Sequence, residues 1–194
     1  MNSDLPRQKI IDGAITVLLE KGVAGSRMND FVEASGLSKG GVYHHFASKE
    51  ELLIGVLSSF TDSIISRINM EADPKQSATK QLQALLENHQ EVLIDMGQYN
   101  QLFLDFFAQA RFLPRFHALM REQYDLFHKQ LAELITLGIK QKEFHPKTDA
   151  DAIASGIRGV FDGIGIALSI VPEKIDFPRY AIDSAMTLLK GIAR

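Results

Sequence analysis

The stretch Phe31 to Lys49, FVEASGLSKGGVYHHFASK, limits what this chain can fold into more than any other. Two short amphipathic segments flank a tight break at Ser35-Gly36-Leu37. Gly36 suits the left-handed residue that closes a helix, and Leu37 can fold back onto the turn just completed. Ser38 stands where an N-cap side chain accepts a hydrogen bond from an orphan backbone N–H. A helix, a short glycine-containing turn and a second helix make a helix-turn-helix, a unit whose second helix can enter a DNA major groove.

The second segment is odd as a helix. Gly40 and Gly41 fall in its first two turns, and each costs roughly 1 kcal/mol against alanine. Glycine is useful where a backbone must come close to something, and a phosphate or base edge fits that description. From Ser35 to Lys49 there are lysines at 39 and 49 and histidines at 44 and 45, and no acid. Val42 and Phe46, four apart, form the inward face, leaving Lys39, Tyr43 and His44 to project outward. The alternative is an ordinary helical hairpin with two tolerated glycines.

The run GLSKGGVYHHFASKEEL resembles the DNA-binding signature of the tetracycline-repressor (TetR) family of bacterial regulators, and the resemblance spans about Gln8 to Leu57. It implies an N-terminal helix-turn-helix domain over residues 1–60, with a fourth helix from about 48 linking it to a ligand-binding and dimerisation bundle over 61–194. It implies that Ser38, Lys39, Tyr43, His45 and Lys49 touch phosphates, that Gly40, Gly41 and His44 approach base edges, and that Asn29 is a second reader. Arg27 and Asn29 lie near the start of the preceding helix, where a helix N-terminus can meet phosphate. The family often carries Thr at one of the positions taken here by Arg27 and Met28, and Ser26 is the nearest hydroxyl substitute. The partners so implied are a double-stranded, near-palindromic DNA operator, a second copy of the chain and a small-molecule effector. Effector bound in the bundle is expected to shift the fourth helix and release the DNA, and a repressor is the expected sign of regulation.

Composition is permissive. The chain has 194 residues, 45% of them hydrophobic, enough for a sizeable core. There is no cysteine, which excludes disulfides and thiolate metal sites. The start, MNSDLPRQK, lacks a signal-peptide core, and no uninterrupted apolar run approaches ~20 residues, so the expectation is a cytoplasmic protein without a membrane partner. A net charge of −3 does not announce nucleic acid. Residues 1–50 also balance, and their acids sit on the first two helices and near the fourth, leaving the recognition segment positive.

Read in order, the chain is all-α, with about nine helices. Pro6 to Lys21 carries Ile10, Ala14, Val17 and Leu18 at helical spacing and is stopped by Gly22. Ser26 is placed to cap a helix running to Ala34. Ser48-Lys49-Glu50-Glu51 reads as a capping box opening a long helix to about Met70. Further helices follow at about Lys75 to Met96, Gln98 to Ala110, Arg115 to Lys142, Ala150 to Val171 and Phe177 to Ile192. The helix over 150–171 is apolar around most of its circumference, which demands burial on more than one side. A central helix inside a monomer is one explanation. A subunit interface is preferred, built from Gly156, Val160, Gly163, Ala167, Ala181, Ala185 and Leu188.

Candidate effector contacts are His89, Tyr99, Asn100, Phe103, Phe107, Tyr124, Phe127, Arg158 and Asp162. Sites between bundle helices are mostly apolar with a few polar anchors, although aromatics of this kind also make plain core. Asp105 is a further possible anchor, and Arg158 and Asp162, one turn apart, can simply pair. No HExxH, nucleophile elbow or P-loop occurs. Neither metal, cofactor nor catalytic activity is expected. The rival readings are an all-α small-molecule binding protein or an enzyme whose helix-turn-helix is structural.

Overall fold

The computed structural model describes residues 4–68, 71–95, 97–110 and 112–194. Among them are nine α-helices and no strand, apart from one isolated antiparallel bridge between Phe144 and Ala193. The chain divides into two compact units, residues 1–63 with 99–121, and residues 64–98 with 122–194.

The first unit opens with α1 (Asp4–Gly25), whose Ile10, Ile11, Ala14, Val17 and Leu18 are buried. The helix is broken at Gly22, which adopts φ 67°, so the expected stop falls where the sequence put it. α2 (Met28–Ser35) is capped by Arg27, whose N–H donates to the Asp30 carboxylate at 2.7 Å. Ser26 is therefore not the cap; it is buried, and its hydroxyl donates to the Val23 carbonyl at 3.0 Å. Gly36 closes α2 in the left-handed conformation, φ 66°. α1 and α2 meet backbone to backbone, because a Cβ on Gly13 would lie 2.9 Å from the Ala34 carbonyl carbon.

Ser38 caps α3 (Lys39–His45), accepting from the Gly41 N–H at 3.2 Å. Val42 and Phe46 are buried as the spacing predicts. α4 (Lys49–Ile68) begins with Ser48 accepting from the Glu51 N–H at 3.2 Å, while the Glu51 carboxylate accepts from Ala47 rather than Ser48, at 2.9 Å. Leu52, Leu53, Val56, Leu57 and Phe60 are buried along it. The side chains of Ile64, Ile65 and Ile68, apolar at helical spacing, lie outside the described residues, as do the expected helix ends Met70 and Met96. α6 (Asn100–Ala110) and the first turns of α7 (Pro114–Lys140) complete the first unit. α4 and α7 each run from the first unit into the second.

The second unit contains α5 (Ala78–Asp95), most of α7, α8 (Ala150–Ile170) and α9 (Phe177–Gly191). Glu143, in the turn after α7, fixes the start of α5. Its carboxylate accepts from the Ser77 hydroxyl at 3.0 Å, the N–H groups of Ala78 and Thr79 at 3.2 and 2.9 Å, and the Thr79 hydroxyl at 2.6 Å. α8 buries Ala154, Ile157 and Phe161 but leaves Ile166 and Ile170 exposed. By length and composition α8 could cross a membrane, although Arg158 and Asp162 interrupt its apolar run, and 17% of its most apolar window is buried in the fold.

Candidate functional site

On α3 the side chains of Lys39, Tyr43 and His44 are exposed, with Gly40 exposed among them; Gly41 and His45 are half-buried. The Lys39 ammonium lies 5.8 Å from the Tyr43 ring centroid, and the His44 and His45 rings meet edge to face at 5.4 Å. Ser38 precedes them in the open, and Arg27 and Asn29 are exposed at the start of α2. Seven of the eleven predicted DNA-contact residues, at the start of α2 and on and just before α3, are thus exposed, while Gly41, His45 and Lys49 are half-buried and Ser26 is buried.

The two glycines are not equivalent. A Cβ on Gly40 would meet nothing within 4 Å, whereas one on Gly41 would sit 3.3 Å from the Ser38 hydroxyl that caps the helix. The fold of the chain thus has a use of its own for Gly41 and none for Gly40.

Ser26, being buried, presents no hydroxyl to a phosphate. Lys49 is turned inward: its ammonium donates to the carbonyls of Val23 at 2.5 Å and Ser26 at 2.6 Å. Burial holds its pKa below the ordinary lysine value, only partly opposed by Asp30. Lys49 joins the start of α4 to the segment between α1 and α2. Asp30 is itself held below the usual carboxylate value by the Lys21 ammonium at 2.7 Å, with help from the Arg27 N–H.

Asp105 escaped the sequence reading in this role. Its carboxylate accepts from the Val23 N–H at 3.2 Å, so it is spent on α1 and not on an effector. The only local signal was the Gly22 break, which frees the Val23 N–H; nothing in the sequence ties that group to a residue 82 positions away.

The expected effector residues do not form one set. In the first unit Phe60 packs on Tyr99 at 4.9 Å and on Phe103 at 5.4 Å, with Asn100 half-buried and Phe107 exposed on the same helix. In the second unit His89, Tyr124, Phe127, Arg158 and Asp162 come together, joined by Phe161. The His89 ring stacks on Phe127 at 4.1 Å and meets Phe161 edge-on at 5.1 Å. Arg158 does pair with Asp162, at 3.1 Å, and also covers the Tyr124 ring at 4.8 Å.

Of the expected interface residues, Gly156 and Gly163 are exposed, and Val160, Ala167 and Leu188 are half-buried. Ala181 and Ala185 are fully buried inside the unit, so neither can meet a partner subunit. The apolar face of α9, with Phe177, Ala181, Ala185 and Leu189, is already covered within the unit.

A capped helix-turn-helix with an outward, acid-free second helix, followed by a helical bundle, defines a DNA-binding regulator. The family model for bacterial regulatory proteins of the tetR family matches residues 10–56, and that for the C-terminal part of BetI-type transcriptional repressors matches residues 78–192. The HTH-type transcriptional regulator YfiR of Bacillus subtilis is 30% identical over 198 residues, covering 98% of this chain and 93% of that protein. A TetR transcription regulator from Haloarcula marismortui shares the fold with a TM-score of 0.84 at 18% identity, covering 97% of this chain and 98% of that one. A transcriptional regulator from Saccharomonospora viridis, in complex with choline, does so with a TM-score of 0.79 at 22% identity over 100% of both chains. The chain belongs to the TetR family of bacterial transcriptional regulators.

Proposed function

We propose that this regulator is a homodimeric, effector-released repressor acting in the cytoplasm, and not an enzyme. Each α3 enters the major groove of one half of an inverted repeat, the half-sites lying about 34–36 Å apart or a multiple of that. The observation that carries this reading is α3 itself: Lys39, Tyr43 and His44 face outward, no acid lies among them, and Gly40 has open space where a side chain would be. Residues 1–60 supply the DNA-binding domain, and residues 61–194 the effector and dimerisation functions.

The dimer reading is supported by α8. Ala152, Gly156, Gly159, Gly163, Ile166 and Ile170 are all exposed and recur alternately four and three positions apart. That is the seam of a helix packed against another helix, with glycines permitting close approach. A partner subunit, rather than lipid, covers it. On α9 the exposed Tyr180 and Thr187 replace Ala181 and Ala185 as the expected contacts.

A neighbour in complex with choline supports a small-molecule effector in the bundle, and the cluster around His89 is the place for it. Binding there must favour one dimer geometry over another to release DNA. Selecting bound fragments from random or genomic DNA, then asking which metabolites displace them, tests the whole reading. Absence of any enriched sequence would contradict it.

A further inference from the structure

Three helices of the second unit converge on one buried group: His89 from α5, Tyr124 and Phe127 from α7, Arg158 and Phe161 from α8. His89 is 9% exposed, and its Nδ1 is buried with no hydrogen-bond partner among the described residues. Native structures rarely leave such an atom unpaired, and one that stays so invites a ligand atom. The Arg158 guanidinium lies 4.8 Å from the Tyr124 ring centroid and 5.7 Å from that of Phe127. Its side chain is only 17% exposed, and its Nε donates to both Asp162 oxygens, at 3.1 and 3.2 Å.

These positions set a charge preference. Aromatic faces attract cations, but Arg158 already covers one face of Tyr124 and lies over Phe127, on which His89 also stacks. A second cation placed on them would stand close to Arg158, where like charges repel. Asp162 takes only the Nε edge of the guanidinium. A planar fork with five donors can still offer its outer amino groups to a second carboxylate. Burial, then the charge of Arg158, pushes the His89 pKa down to about 3. His89 is therefore neutral near neutral pH and adds no positive charge; it can donate through Nδ1 or accept there, according to tautomer.

Resting on the effector reading above, we infer that this cluster takes an apolar carboxylate, its acid group on the outer edge of Arg158, its body against Tyr124, Phe127 and Phe161, and a polar atom on His89 Nδ1. A quaternary ammonium compound is disfavoured at the same place. The chain then differs in ligand charge from the neighbour that holds choline.

Matched probes separate the possibilities: phenylbutyrate, phenylbutanol and phenylbutyltrimethylammonium, with choline alongside, titrated into the full chain by calorimetry. Phenylbutyrate is expected to bind at least about tenfold more tightly than the alcohol or either cation, the effect of one charge-assisted hydrogen bond. Arg158→Gln should remove that margin, so that phenylbutyrate and phenylbutanol bind alike. Arg158→Lys, which keeps the charge and guards against a folding defect, should retain the preference for the acid at lower affinity. Equal or tighter binding of a cation, or an acid preference that survives Arg158→Gln, overturns the inference and leaves an effector site in the bundle standing. Failure of every probe to bind overturns the inference and the siting of the effector in this cluster together.

Discussion

The backbone of Val23 takes part in three contacts: its N–H donates to Asp105, and its carbonyl accepts from the Ser26 hydroxyl and the Lys49 ammonium. Lys49 is thus engaged inside the subunit, whereas Lys39 stands exposed on α3. Lys39→Ala should leave stability within about 0.5 kcal/mol, weaken operator and non-operator DNA alike, and lower the salt slope by about one. Lys49→Ala should instead take a donor from the Ser26 carbonyl and one of two donors from the Val23 carbonyl, and cost about 1 kcal/mol of stability. Denaturant melts and salt titrations on both variants check this division; equal salt slopes in the two would contradict it. Gly40 supplies the companion test. A Cβ there meets nothing within 4 Å, so Gly40→Leu should gain up to about 1 kcal/mol of stability while losing specific DNA binding by exclusion from the groove. A stable variant with full operator affinity would remove Gly40 from the interface. The residue types of the DNA face were legible because they follow each other in the chain. The inward turn of Lys49 and Ser26 was not, since it depends on carbonyls exposed by a helix break more than twenty positions from Lys49.

At the scale of elements, the helices and caps around α3 were legible because glycine, serine and acid signals are local. The start of α5 was not, because its cap comes from Glu143, far along the chain. Burial acts to raise the Glu143 pKa, but the Thr79, Ser77 and Ala78 hydrogen bonds outweigh it and the pKa is lowered from 4.5. A carboxylate with a depressed folded pKa contributes stability above its unfolded pKa and loses that contribution as pH falls through the folded value. Glu143→Gln should therefore be less stable than the wild type at pH 7, with the gap closing as pH falls below 4.5. Thermal melts across that range read it directly, and a gap independent of pH would show that the ionised form is not what caps α5.

For the whole molecule, the apolar circumference of α8 signalled an uncovered surface, but which face of α9 accompanied it could not be read from spacing alone. Ala181 and Ala185 look like interface alanines in sequence and are core in the fold. A Cβ on Gly163 would meet nothing within 4 Å, so Gly163→Arg should fold normally, sediment as a monomer and bind operator near the non-specific level. A folded dimer with full affinity would move the interface off α8. Discrimination among genomic sites needs two recognition helices, because one short helix reads few base pairs.

The central claim is that paired copies of α3 read DNA, and a footprint of the wild-type protein on its own selected sequence tests it most directly. The account predicts two protected major-groove segments related by inverted symmetry, their centres about 34–36 Å apart or a multiple of that, with protection lost in Gly40→Leu. A single unsymmetrical footprint, or one unchanged in that variant, would contradict it.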